Sequence, residues 1–154
     1  MAKTVFLGMS GGVDSSVSAV LLKEAGYNVI GVYMKNWSKD LPGMKCPWAE
    51  DLADAKRVAV RLGLDFRVFD FENEYKQKVV DYMLAEFKKG HTPNPDIMCN
   101  QEIKFKLFYE VALEQGADLL PLATTLKLNM ASLKWPLTKT RIKLISFIVF
   151  LKMR

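Results

Sequence analysis

An α/β fold, an open parallel sheet with helices on both faces, is predicted by three features of this 154-residue chain. Apolar segments of strand length alternate with segments whose apolar residues recur at helical spacing, four times over. A glycine closes each of the first three helical segments and another follows the fourth. A composition of 50% hydrophobic and 25% charged residues supports one compact domain with a core and argues against disorder.

Residues 4–8, Thr-Val-Phe-Leu-Gly, read as a short buried strand, and Met9-Ser10-Gly11-Gly12 as a turn. Asp14, Ser15 and Ser16 then open a helix with Val13, Val17, Val20 and Leu21 on its apolar side, stopped at Gly26. A second strand runs over 28–33, followed by an irregular loop over 35–48 containing Pro42, Gly43 and Pro47. Ala55, Val58, Ala59 and Leu62 signal a helix from Glu50 to Gly63, and 66–69 a third strand. Tyr75, Val79, Tyr82, Met83 and Phe87 mark a helix ended by Gly90. Residues 90–100 are predicted as a loop with Pro93 and Pro95, 102–115 as a helix with Leu107, Phe108, Val111 and Ala112 inward, and 118–120 as the start of a fourth strand. Such an order also predicts that a ligand lies at the carboxyl ends of the strands.

The charge is unevenly divided. Residues 1–120 hold 15 Lys/Arg and all 17 Asp/Glu, a net charge of −2, so the overall +5 comes from the tail. Residues 121–154 carry the other 7 basic residues, no acid and no glycine. Basic bulk charge is therefore poor evidence that the body binds a polyanion. Pro121 interrupts the fourth strand, and 145–151 form an uncharged, β-prone run that reads either as an edge strand or as an aggregation-type window. The break in composition divides the chain into a domain over 1–120 and an atypical tail over 121–154, which we expect to come from a shifted reading frame or an aberrant splice.

No apolar run approaches the ~18 residues of a membrane-spanning helix, and neither a secretory nor a transit segment opens the chain. Two cysteines, Cys46 and Cys99, are too few for a disulfide scaffold or a four-ligand zinc site. The expectation is a soluble, cytoplasmic protein with no membrane association.

The strongest local motif is Gly8-Met9-Ser10-Gly11-Gly12-Val13-Asp14-Ser15-Ser16, between a strand and a helix. A loop there aims backbone N–H groups and a helix N-terminus at an anion. Gly11 and Gly12 permit close approach and unusual φ angles. Ser10, Ser15 and Ser16 offer hydroxyl donors to phosphate oxygens, and Asp14 is placed to cap the helix and help hold Mg²⁺ beside the phosphates. The motif is neither a Walker A loop nor a Gly-x-Gly-x-x-Gly dinucleotide loop. Its plain alternative is a capped helix start after a glycine turn. Ser-Gly-Gly-x-Asp-Ser resembles the pyrophosphate-binding loop of the PP-loop ATP pyrophosphatase superfamily. That resemblance implies ATP cleaved between its α- and β-phosphates to adenylate a carbonyl oxygen.

Two further segments narrow the resemblance. They are Gly31-Val32-Tyr33-Met34-Lys35-Asn36-Trp37 and Gly90-His91-Thr92-Pro93-Asn94-Pro95-Asp96-Ile97-Met98-Cys99-Asn100 with Ile103-Lys104-Phe105. With the phosphate loop, in this order, they resemble the tRNA-specific 2-thiouridylase family over about residues 3–118. The resemblance implies an ATP-dependent sulfurtransferase, with Mg²⁺, forming 2-thiouridine at the tRNA wobble position, supplied with sulfur by a persulfide donor protein. Uracil carbon-2 bears an amide-like carbonyl, a poor electrophile. Adenylating its oxygen makes AMP the leaving group, so that sulfur can add at carbon-2 and AMP depart. ATP, base and thiolate must meet in one dry cleft, where positioning supplies much of the rate.

By the same resemblance Cys99 is the catalytic thiol and Asp96 an acid/base residue near the target base. Asn94 and Pro95 would contact the flipped uridine. The nucleotide would be held by Gly8, Met9, Ser10, Gly11, Gly12, Val13, Asp14 and Ser15, with Met34 against adenine. Read from position alone, Cys99 stands just before a predicted helix, where Lys104, Lys106, His91 or the helix N-terminus would depress its pKa. A small buried cysteine is its plain alternative, a turn residue that of Asp96, and strand-end core that of Met34. Cys46 has no assigned role; Trp37 and Trp48 read as ordinary packing.

The chain departs from the family after residue 120. Leu122-Ala123-Thr124-Thr125-Leu126-Lys127 stands where the family has an Ala-Thr-Gly-His-Tyr-type segment, and neither its persulfide cysteine nor its tRNA-gripping domains follow. The expectation is a chain that binds ATP weakly and does not complete sulfur transfer alone. Two alternatives stay open: another PP-loop adenylating enzyme of amidotransferase or synthetase type, or a non-catalytic nucleotide- or RNA-binding fragment.

Overall fold

A computed structural model describes residues 2–40, 43 and 45–120, together with the strand backbone of 123–127, 145–148 and 151–152. Strands β1 (Thr4–Gly8), β2 (Asn28–Lys35), β3 (Asp65–Asp70) and β4 (Leu119–Leu120) form a parallel sheet in the order β3-β2-β1-β4. Helices α1 (Val13–Glu24) and α2 (Trp48–Leu62) follow β1 and β2. The predicted open α/β fold is the observed one.

The sheet is covered on both sides because its strands alternate. Val5 and Leu7 of β1, with Val29 and Tyr33 of β2, pack with Ala19 and Leu22 of α1 and Ala55 and Ala59 of α2. Phe6, Ile30 and Val32 point to the other face, against Phe69, Val79, Ile103, Phe108 and Ala112. Near-continuous apolar strands are what a sheet buried on both faces requires. Phe69 sits at the centre of the second layer, its ring 6.5 Å from Phe6 and 5.9 Å from Phe108.

Two helices differ from the sequence expectation. The segment over 72–88 is α-helical at Glu72–Tyr75, widens to π winding over Lys76–Val80 and returns to α over Asp81–Lys88. The next helix spans 95–114, not 102–115, and it is π-wound over Cys99–Leu107. Its earlier start has a local cause. Asn94 is the N-cap, its side-chain oxygen accepting from the N–H groups of Asp96 at 3.0 Å and Ile97 at 3.4 Å, and Pro95 takes the first helical position. The proline-rich stretch read as loop is thus partly a helix start.

The inner face of α1 also differs. Ser15, Ser18, Ala19 and Leu22 are buried, whereas Val13 is 77% exposed. The Ser15 hydroxyl turns back onto the Gly12 carbonyl, and Ser18 donates to the Asp14 carbonyl at 2.8 Å, so both buried hydroxyls are satisfied within the helix start. The remaining helix ends stop as predicted, with Gly26, Gly63, Gly90 and Gly116 all at positive φ.

In the tail, β5 (Ala123–Lys127) pairs antiparallel with β6 (Ile145–Ile148), and β7 (Leu151–Lys152) adds antiparallel to β4 at the sheet edge. Of the 145–151 run, 145–148 pairs away from the main sheet, and only Leu151 belongs to the strand at its edge. Pro121, where the fourth strand was expected to break, lies outside the described residues. Among the described residues no helix is long and apolar enough to cross a membrane.

Candidate functional site

A cleft of about 510 Å³ opens at the carboxyl ends of β1 and β2, where an open α/β sheet places its ligand. Gly8, Met9, Ser10, Gly12, Val13, Asp14 and Ser15 form one wall; Tyr33, Met34 and Asn36 come from the end of β2. Asp51 of α2 and Lys104 of the 95–114 helix complete it. Most of the predicted nucleotide-binding residues are therefore brought together.

The loop is fastened by its own short side chains. The Ser15 hydroxyl donates to the Gly12 carbonyl at 3.1 Å and accepts from the Ser10 N–H at 3.4 Å. Ser16 donates to the same carbonyl at 2.8 Å, and Ser10 Oγ accepts from the Gly12 N–H at 3.4 Å. In this structure the Ser15 and Ser16 hydroxyl hydrogens are turned onto the loop, and Ser10 is the hydroxyl with a hydrogen to offer. Asp14 is not the cap. Gly12 holds that position without a side-chain bond, and Asp14 lies exposed in the first turn, its carboxylate free to face the cleft. The unbonded N–H groups of the first turn of α1 remain as the anion-facing donors.

Gly11 has a packing role in addition to its place in the loop. It lines a neighbouring depression against α2, not the cleft. A Cβ there would stand 2.8 Å from Asp54 Cβ and 2.9 Å from the Ala55 nitrogen, at a φ of +78°. Its glycine serves the packing of loop on helix. Gly12, at φ −73°, needs no unusual backbone.

The end of β2 is held from both sides. Lys35 Nζ reaches Glu72 at 2.6 Å and Asp70 at 3.3 Å, and lies 5.1 Å from the centre of the Trp48 ring. Ser38 donates to the other Glu72 oxygen from its hydroxyl at 2.6 Å and its N–H at 2.9 Å. Hydrogen bonds from Lys35 and Ser38 hold the Glu72 carboxyl below the usual glutamate range, and Glu72 in turn raises the Lys35 ammonium. Met34 packs onto the second-layer core, consistent with both of its readings. Trp37 packs against Tyr75 at 6.4 Å, as ordinary packing predicted.

Cys99, Asp96, Asn94 and Pro95 do not line the cleft. Cys99 is 8% exposed within the second-layer core, the same cluster onto which Met34 packs, and its helix also carries Lys104 to the cleft. It stands a full turn inside its helix, not before it. Burial pushes its pKa up, Lys104 pulls it down, and Asp96 raises it further. The expected depression is thus reversed by desolvation. Of the three cations invoked, His91 is engaged by Glu86 at 2.7 Å and Lys106 by Glu102 at 3.5 Å, leaving Lys104. Asp96 and Asn94 are exposed at the start of the thiol's helix. Asn36, Tyr33 and Asp51 were not expected in the cleft. The period-2 partnership of Asn36 with Met34 was the available signal for the first, and nothing local marks Asp51.

Residues 3–132 match the family described as the tRNA methyl transferase HUP domain. The chain belongs to that family. Among curated relatives, the tRNA-specific 2-thiouridylase MnmA of Christiangramia forsetii is 55% identical over 118 residues, covering 75% of this chain and 30% of that protein. The chain thus spans about a third of the length of the curated relatives it matches. Among solved structures, the U34-tRNA thiolase NcsA of Methanococcus maripaludis is similar with a TM-score of 0.53 and 26% identity, covering 78% of this chain and 38% of that one. A predicted subunit of tRNA methyltransferase from Methanocaldococcus jannaschii shares the fold at a TM-score of 0.56 and 22% identity, over 86% and 60% of the two chains.

Proposed function

We propose that this family member carries the ATP-binding, uridine-adenylating part of a cytoplasmic tRNA-specific 2-thiouridylase. The observation that carries the reading is the juxtaposition at one cleft: Lys104, from the helix that bears Cys99, completes the wall opposite the phosphate loop. The likeness to MnmA proteins, at 55% identity over 118 residues, supports the substrate class.

The triphosphate would lie on the loop from Gly8 to Ser15, with the α1 N-terminus and Lys104 facing its charge. Met34 would pack against adenine. Asp14 and Asp51 are the carboxylates in the cleft, a donor set that fits Mg²⁺ shared with phosphate oxygens. When bound, that ion would neutralise phosphate charge. The uracil oxygen attacks the α-phosphorus, the bond to the β-phosphate oxygen breaks, and pyrophosphate leaves. The terminal sulfur of a persulfide donor protein would then add to carbon-2 and the carbon–oxygen bond break to release AMP; attack of the Cys99 thiolate on the donor-side sulfur breaks the S–S bond, leaving 2-thiouridine and a Cys99–donor disulfide. Asn94, Pro95 and Asp96 would hold the flipped base, Asp96 handling its proton, with Cys99 as the thiol partner of the sulfur step. That step requires the Cys99 side chain to leave its apolar seat.

The test is pyrophosphate release by the purified chain with ATP, Mg²⁺ and tRNA. Release that depends on tRNA, without multiple-turnover formation of 2-thiouridine, is expected. Absence of ATP binding, or release that depends on an amino acid instead, overturns the reading. The atypical stretch from residue 121 we infer to belong to another reading frame. A genomic frame downstream of codon 120 encoding Thr-Gly-His-Tyr supports that, and its absence from both other frames refutes it.

A further inference from the structure

Asn36 has an unexplained carbonyl. Its Oδ1 is shut off from solvent and accepts no hydrogen bond, alone in this among the buried side-chain nitrogen and oxygen atoms of the described residues. Leaving a buried acceptor unpaired is costly, so a native structure that keeps one calls for a partner. The side chain lines the 510 Å³ cleft, which makes a bound molecule the natural source of that partner.

The backbone around Asn36 is not loose. Lys35 before it and Ser38 after it are both tied to Glu72, and the Lys35 carbonyl accepts from the Phe71 N–H at 2.9 Å. The held neighbours fix where the Asn36 backbone stands, and its side-chain torsions alone decide which amide atom faces the cleft. The chemistry of the partner then follows. Phosphate oxygens carry no hydrogens and cannot satisfy an acceptor. The partner must bring an N–H or O–H donor, and it must sit at the β2 end of the cleft, beside Met34 and away from the phosphate loop.

We propose that Asn36 is the base-reading residue of the nucleotide site: a modest turn of its side chain lets Oδ1 accept from the exocyclic amine of adenine while Nδ2 donates to N7, an acceptor in both adenine and hypoxanthine. This is the paired donor–acceptor edge with which an asparagine distinguishes adenine from bases bearing a carbonyl at that place. The inference rests on the ATP reading above and deepens it, because it assigns the purine selectivity to one side chain.

Equilibrium binding of ATP and of ITP, which has a carbonyl in place of the amine, tests it. The wild-type chain is expected to bind ATP about tenfold or more tighter than ITP. In Asn36→Leu, ATP affinity falls to the ITP level and the preference disappears. Asn36→Asp, which keeps the acceptor, retains a reduced preference and serves if the leucine variant fails to fold. Thermal stability supplies a second readout: deleting an orphan acceptor leaves the unliganded Tm unchanged or raised, while removing a structural hydrogen bond lowers it. A wild-type chain that binds ATP and ITP alike overturns the inference and leaves the ATP reading intact. One that binds neither overturns both. An ATP preference that survives Asn36→Leu assigns the acceptor to some other donor, such as the uracil ring N–H, and overturns it too.

Discussion

The phosphate loop and the thiol helix meet the same cleft in opposite states. In the loop, small polar side chains satisfy one another and leave backbone N–H groups open to solvent, so the anion site exists before any anion arrives. In the helix, the Cys99 thiol is wrapped in aromatic and aliphatic neighbours, at the first residue of a π-wound stretch. The contrast teaches that binding and reactivity are prepared differently here. A phosphate seat loses nothing by standing open, since water is a fair substitute for phosphate oxygens. An exposed thiolate would react with the wrong partner, and π winding, common at functional positions, provides a helix that can rewind and turn a residue.

The largest effect is expected where the loop rests on α2. Gly11→Ala forces a side chain into a positive-φ position against backbone atoms at 2.9 Å. A loss of roughly 2–4 kcal/mol in urea denaturation is expected, with nucleotide binding abolished. A loss within the noise would mean that the loop can detach from α2, and the open region would then be no more preformed than the closed one. Ser15→Ala comes next. It removes a buried hydroxyl that donates to Gly12 and accepts from Ser10, for about 1 kcal/mol and about a tenfold weaker nucleotide affinity. Ser16→Ala, at the surface, is expected to cost less, and equal losses would contradict the assignment of Ser15 as the fastener.

The closed region is sharpened by thiol labelling. Ellman's reagent at pH 7.5 is expected to modify half-buried Cys46 at least about tenfold faster than Cys99, whose thiolate burial disfavours. Lys104→Met removes the charge that lowers the Cys99 pKa and slows its labelling further, while weakening nucleotide binding. The sign for stability follows from a folded pKa raised above its unfolded value. The contribution from keeping Cys99 protonated is full below the ordinary thiol pKa and is lost as pH rises through the folded one. Wild type should therefore lose stability relative to Cys99→Ala in the alkaline range, read from denaturation midpoints at pH 7 and above pH 9. Midpoints that track each other would mean that burial leaves the thiol's pKa where it is in the unfolded chain, and a wild type that gains stability would mean that the folded thiol is already ionised; either makes the contrast false.

What the sequence disclosed follows the range of the forces involved. The strand order and glycine stops are local or periodic signals, and Val5, Phe6 and Leu7 carry the two-faced burial in three consecutive letters. Asn94 could have been read as a helix cap, since an asparagine before proline is a start signal, but the two prolines favoured a loop. The inner face of α1 was hidden because two of its buried positions are serines, whose hydroxyls are satisfied by the Gly12 and Asp14 carbonyls, while Val13 stays exposed. The raised Cys99 pKa was hidden for a different reason. Nearby cations can be counted in sequence, but whether each is already engaged, as His91 and Lys106 are, and how deeply the sulfur is buried, are properties of the packing.

The smallest effect is expected at the clamp that joins the two regions. Glu72, at the start of the 72–88 helix, holds Lys35 and Ser38 and thereby fixes the lip of the cleft that carries Asn36. Glu72→Gln keeps an acceptor for the Ser38 N–H but removes the charge that attracts Lys35. The pair is part-buried at the cleft lip and open to solvent on one side, where ion pairs are weak, so amide exchange at Ser38 should accelerate by only roughly two- to fivefold. The pH dependence identifies the cause. A carboxyl held below its ordinary range contributes above its unfolded pKa and ceases to contribute as pH falls through the lower folded one. Lys35, raised above its usual value, stays charged throughout that interval. The ratio of variant to wild-type exchange should therefore be constant from pH 8 to pH 5 and approach unity in stronger acid. A ratio that persists below the folded Glu72 pKa would show that shape and not charge holds the lip, and the β2 end of the cleft would then be prepared in the way the thiol is, by packing.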